Sequence, residues 1–135
     1  MGTQIDWKAL EKRAWAAREQ AYAPYSKFAV GAALLAYSGE IFTGCNVENV
    51  SFGLTICAER IAVSTAVQAG CRQFAAIAVV ADTECPVAPC GACRQFLAEF
   101  NPSLSIYSAG RSGVNDSWSL STLLPSPFRG LGADS

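Results

Sequence analysis

The chain has 135 residues, 51% apolar and 16% charged, with a net charge of −1, which suits one compact domain with a sizeable core and leaves too little length for two. Its Lys and Arg are scattered, with no basic run interleaved with aromatics, so the counterion-release attraction that dominates nucleic-acid binding is small and no polynucleotide partner is expected. The apolar stretches at 28–36 and 74–81 fall well short of the roughly 20 residues that span a bilayer, and residues 1–15 carry Asp6, Lys8, Glu11, Lys12 and Arg13 where a secretory leader needs an apolar block. The expected location is the cytoplasm, with no membrane partner.

Trp7, Leu10, Ala14, Ala17 and Ala21 recur every three or four positions and predict an amphipathic helix over 6–22, capped by Asp6 and broken by Pro24. Residues 28–37 are apolar and uncharged, as a strand buried on both faces would be. Ser38-Gly39 turns the chain, and 40–47 reads as the returning strand, in which Gly44 marks a bulge or a close backbone approach. Residues 57–69 predict a second helix, with Ile61, Ala62, Thr65 and Ala66 on one side and Gly70 as its terminator. The β-branched run 74–81 suits a central strand, Pro86 and Pro89 keep the next segment irregular, and 90–100 reads as a third helix stopped by Asn101-Pro102. A short strand at 104–108, a loop over 109–116, a strand from Trp118 running into one helical turn by Leu124, and an irregular tail from about 126 complete the order. No repeat or linker divides the chain, so 1–135 reads as one α/β domain with helices packed on a mixed sheet.

Six cysteines (Cys45, Cys57, Cys71, Cys85, Cys90, Cys93) and no histidine constrain the chemistry. In a reducing compartment, closely spaced cysteines read as metal ligands or redox groups before disulfides. Without His, a zinc site must use thiolates and carboxylates, and a general base must be a carboxylate, Tyr, Lys or Cys. Pro89-Cys90-Gly91-Ala92-Cys93 opens a helix and puts both sulfurs on one face of its first turn. Cys57 opens another helix and can supply a third sulfur. Helix N-termini favour ionised sulfur, and three ligands rather than four leave a position open for catalysis. Three thiolates leave the cage net negative, which calls for a compensating guanidinium from Arg60 or Arg94, with Arg60 favoured. Glu59 lies two residues past Cys57, points away from the ligand set and can face a substrate as proton shuttle. The competing metal reading is a closed structural site that recruits Cys85 or Cys45, in a zinc-stabilised binding module. Cys45 and Cys71 read as small buried hydrophobes.

Cys57-Ala58-Glu59 followed by Pro89-Cys90-Gly91-Ala92-Cys93 resembles the zinc-site signature of nucleobase deaminases. Together with Tyr22-Ala23-Pro24-Tyr25-Ser26-Lys27-Phe28, Val30-Gly31-Ala32-Ala33, Gly44-Cys45-Asn46-Val47-Glu48-Asn49, Arg94-Gln95 and Leu123-Leu124-Pro125, it is similar to the small homotetrameric cytidine deaminases of pyrimidine salvage, over about residues 21 to 128. That resemblance implies a three-layer α-β-α sandwich around a five-stranded mixed sheet and one zinc per subunit. It implies hydrolysis of cytidine and 2'-deoxycytidine to the uridines, with Glu59 moving protons to N3 and to departing ammonia. By the same resemblance, Asn46 and Glu48 bind the ribose hydroxyls, Phe28 packs on the base and the Ala58 backbone reads the pyrimidine. Val50 to Phe52 and Phe128 would approach the pocket of a neighbouring subunit in a homotetramer, which would also hide surplus apolar surface. Phe52 stands where the family commonly has Tyr, so stacking is retained there without a hydroxyl contact. A blasticidin S deaminase would be expected to lack Glu48, and an editing deaminase would carry His at position 57 and a basic surface.

Overall fold

The computed structural model describes residues 4–131. Asp6 accepts from the Ala9 N–H (3.1 Å) and so satisfies a free donor in the first turn of α1, Trp7–Arg18. The helix ends at Arg18 instead of continuing to Tyr22, because the Tyr22 N–H donates to the Asn46 carbonyl and Tyr22 pairs with Val47. Sheet-like pairing with a distant segment overrides the helical periodicity of Ala21.

The hairpin forms as expected: β1 (Val30–Ala36) runs antiparallel to β2 (Ile41–Cys45), with Ala32 opposite Gly44. It is shorter than the predicted 28–37 and 40–47. Beyond Val30 the ladder is completed by a side chain, since the Asn46 amide accepts from the Val30 N–H and donates to the Phe28 carbonyl. Then follow α2 (Ala58–Gln68), β3 (Phe74–Ala81), α3 (Gly91–Ala98), β4 (Ser105–Ala109), β5 (Asn115–Ser119) and α4 (Leu120–Leu123). β5 corrects the loop predicted over 109–116: Asn115 and Asp116 pair with Ala109 and Ser108. It is an edge strand whose first three residues are exposed, so it carries none of the apolar alternation that reveals a strand.

The sheet order is β2-β1-β3-β4-β5, with β3 and β4 parallel and the other neighbours antiparallel. α1 covers one face through Leu10 and Ala14 against Ala33, Leu35, Ala76, Ala78 and Val80. The other face packs Leu34, Ile77, Val79 and Ile106 against Ala62, Val63 and Ala66 of α2 and Leu97 of α3. The architecture is the three-layer α-β-α sandwich with a five-stranded mixed sheet.

Two glycines set the depth of these layers. A Cβ on Gly31 would overlap the Ala14 carbonyl and come within 2.8 Å of the Arg18 nitrogen in α1. One on Gly44 would overlap the Ala58 carbonyl and lie 2.6 Å from the Ala62 nitrogen in α2. Gly44 therefore marks a close backbone approach, and it is the N-terminal turn of α2 that it lets in.

Candidate active site

Cys57 and Cys90 are the N-cap residues of α2 and α3, and Cys93 lies in the first turn of α3. Neither N-cap sulfur caps a main-chain N–H of its own helix. The three sulfurs lie within 4.8 Å of one another, with Cys57 and Cys90 3.9 Å apart. Sulfurs held about 2.3 Å from a tetrahedral zinc stand about 3.8 Å apart, so the donor set fits one such ion. Cys45 and Cys71 are half-buried where buried positions were expected, Cys85 is exposed, and all three lie outside the cluster.

The two candidate arginines differ. Arg60 Nη2 donates to the Thr55 carbonyl (3.2 Å) and to Cys57 Sγ (3.8 Å), while its buried Nε has no oxygen or nitrogen partner. Arg94 spends its guanidinium on the carbonyls of Pro89 (2.7 Å) and Leu123 (3.0 Å). Donation from the Cys93 thiol, aided by Arg60, pulls the Cys57 thiol down to about 5. The same contact, with burial, pushes the Cys93 thiol up.

Glu59 follows in the first turn of α2 and is 5% exposed. Burial pushes its carboxyl up to about 7. It stands outside the sulfur cluster and lines a cavity of about 300 Å³ shared with Cys57, Cys90, Ala58, Phe28, Asn46 and Glu48. That volume suits a small ligand rather than a polymer.

One wall of the cavity is the irregular segment between α1 and β1, and it is fastened by side chains. Asn46 grips Phe28 and Val30 at 2.7 and 2.9 Å. The Glu48 carboxylate accepts from the N–H groups of Tyr25 (3.0 Å) and Ser26 (3.1 Å) and from the Ser26 hydroxyl, and the hydroxyl contact foremost holds it below its usual range. Within this wrap Lys27 adopts φ 61°, a left-handed conformation costly for a side-chain-bearing residue.

The structure thus gathers Cys57, Cys90, Cys93, Glu59, Ala58, Phe28, Asn46 and Glu48. Val50, Phe52 and Phe128 do not line this cavity, and are 75%, 71% and 66% exposed. Sequence reasoning gave no site role to Thr55, Val79, Val87 and Ala88, which line the cavity too. Val79 looked like ordinary core, and the course of 82–89 has no local signal.

A thiol cage at two helix N-termini beside a buried carboxyl, on the floor of a small-molecule cavity, defines the class as a zinc-dependent deaminase. The model of the cytidine and deoxycytidylate deaminase zinc-binding region matches residues 6–109. The cytidine deaminase of Sporosarcina psychrophila is 57% identical over 113 residues, 83% of each chain. That of Halalkalibacterium halodurans is 50% identical over 125 residues, 92% of this chain and 95% of its own. Among solved structures, the cytidine deaminase of Burkholderia pseudomallei superposes with a TM-score of 0.88 at 51% identity, over 92% of this chain and all of its own. That of Mycobacterium tuberculosis gives 0.80 at 41%, over 95% and 100%. The chain belongs to the cytidine and deoxycytidylate deaminase family.

Proposed function

We propose that this zinc-dependent deaminase hydrolyses cytidine and 2'-deoxycytidine to uridine and 2'-deoxyuridine with release of ammonia, Cys57, Cys90 and Cys93 holding the metal and Glu59 carrying the protons. The observation that carries this reading is the buried Glu59 beside three clustered sulfurs, on the floor of a cavity walled by Phe28, Asn46 and Glu48. A zinc held by these three sulfurs would supply a water acidic enough to act as nucleophile near neutral pH. Glu59 accepts the proton that water loses as its oxygen bonds to C4, and delivers it to N3. It then takes the proton of the hydroxyl added at C4 and relays it to the amino nitrogen, so that the C4–N bond breaks with ammonia leaving and the C4 carbonyl forms. Arg60, 3.8 Å from Cys57 Sγ, draws charge from the thiolates and offsets the net negative cage.

Asn46 and Glu48 retain hydrogen-bonding capacity beyond the loop they hold: one amide N–H remains on the first and carboxylate lone pairs on the second. These remaining positions serve the ribose hydroxyls, Phe28 faces the base, and the Ala58 backbone reads the pyrimidine edge. A free base would forgo the hydrogen bonds to these remaining positions, which discriminates in favour of the nucleoside. Exposed Val50, Phe52 and Phe128 complete the pocket of a neighbouring subunit in a homotetramer, so the mass by light scattering should be four times that of the chain. All six cysteines are unpaired, which supports a reducing, cytoplasmic setting; no helix among the described residues is long and apolar enough to cross a membrane. Residues 1–135 work as one domain, since both core clusters share a single sheet.

The test is loss of cytidine and deoxycytidine absorbance by the zinc-loaded protein, with and without a chelator, beside blasticidin S and a cytosine-containing oligonucleotide. Turnover of the two nucleosides that the chelator abolishes is expected. Inertness towards both would overturn the reading, and preference for blasticidin S or the oligonucleotide would reassign the substrate.

A further inference from the structure

Residues 124–131, after α4, form no helix or strand, yet the backbone of Phe128 is held in a definite place. The Gln95 side-chain amide donates to the Phe128 carbonyl (2.9 Å) and accepts from the Phe128 N–H (3.0 Å). This is the two-way pairing that an adjacent strand would otherwise provide. Among the described residues from 125 to 131, no other hydrogen bond ties the tail to the body of the protein. The neighbouring side chain, Arg94, holds the Leu123 carbonyl, so two consecutive residues of α3, directly after Cys93, strap down the C-terminal segment.

The latch grips main chain and leaves the ring uncovered: Phe128 is 66% exposed. Fixing a flexible Gln side chain and a coil backbone costs conformational entropy, and the ring returns little of it within its own subunit. Immobilising a loop before association cuts the ordering cost of the binding it serves.

We propose that Gln95 is a positioning residue for the reaction, pre-setting Phe128 to enter the nucleoside pocket of a neighbouring subunit, a role that rests on the reading of Phe128 given above. Gln95 touches neither the substrate nor the metal in this role. Without the latch, the tail spends part of its time elsewhere and the apparent affinity for nucleoside falls by the fraction of competent pockets. Two hydrogen bonds of ordinary net strength correspond to roughly a 5- to 150-fold change.

The experiment compares Gln95→Met, which keeps the length and loses both hydrogen bonds, with Gln95→Glu, which keeps only the acceptor, and with Phe128→Ala. It reads kcat and KM for cytidine, zinc content, and hydrogen exchange of the Phe128 N–H in the zinc-loaded enzyme without substrate. Gln95→Met is expected to raise KM by up to roughly 5- to 150-fold, with kcat and zinc content held and the Phe128 N–H exchanging faster; Gln95→Glu falls between it and the parent. Phe128→Ala should raise KM at least as far, and Gln95→Met should add nothing on that background. An unchanged KM in Gln95→Met, an equal further rise on the Phe128→Ala background, or a parent Phe128 N–H that already exchanges freely would overturn the role of Gln95. An unchanged KM in Phe128→Ala would bring down the pocket reading itself, and the exchange measurement separates the two failures because it involves no substrate.

Discussion

The floor and the wall of the cavity are built by opposite means. The floor is two helix N-termini whose capping sulfurs accept from no main-chain N–H of their helices, so their chemistry is free for a metal. The wall is a coil whose shape depends on Asn46 and Glu48, and these side chains are engaged with main chain of residues 25–30 before any ligand arrives. The difference separates what a mutation reports: on the floor it reads chemistry, while on the wall it reads stability and recognition together.

The largest expected effect breaks the floor alone. Glu59→Gln should retain zinc and lower kcat by about 10²- to 10⁴-fold, measured by absorbance and metal analysis; substantial turnover in the metal-replete variant would refute the shuttle. On the wall, Asn46→Ala orphans the Phe28 carbonyl and the Val30 N–H together. It should cost about 2–4 kcal/mol in denaturant unfolding and raise KM as well, and a KM effect with unchanged stability would show that the wall is held by other means. Arg60→Gln sharpens the floor further, since losing the donor to Cys57 should weaken zinc retention about 10- to 100-fold in a chelator competition while the wall stays intact.

The smallest effect lies on the opposite face of the sheet. The Tyr107 hydroxyl donates to Glu11 Oε1 (2.8 Å), whose other oxygen accepts from Trp15 Nε1 (3.1 Å), and this ties α1 to β4. Burial foremost, then Glu11, pushes Tyr107 from 10.0 up to about 12. A raised pKa favours the protonated hydroxyl in the folded state, so this stabilisation is complete below about 10 and is lost as the pH rises through about 12. Tyr107→Phe should cost about 1 kcal/mol, flatten that alkaline decline and leave KM unchanged, as followed by unfolding curves at several pH values.

The floor was legible because metal chemistry writes itself locally: Cys90 and Cys93 share one turn, and Cys57 and Glu59 share another. The wall was only half legible. Asn46 and Glu48 came through the family resemblance, but the main-chain partners 16 to 23 positions away leave no trace in local composition. The helix-sheet order came through since apolar periodicity reports burial, and it failed where burial is absent, at the polar edge strand β5. It failed again at Tyr22, where pairing with Val47 ended α1 early. Gln95 went unnoticed as a tail latch because its partner lies 33 residues on and its side chain is compatible with any helix surface.

Gly44 carries none of the site's chemistry, yet it acts as the spacing gauge of the sulfur cluster. By offering no side chain, it lets the first turn of α2 settle against β2, and that depth fixes how far the cap of α2 stands from the cap of α3. A single methyl group on the strand would be transmitted through a rigid turn as a misfit between two sulfurs. The tolerance of the metal site is therefore set by an atom the protein does not have.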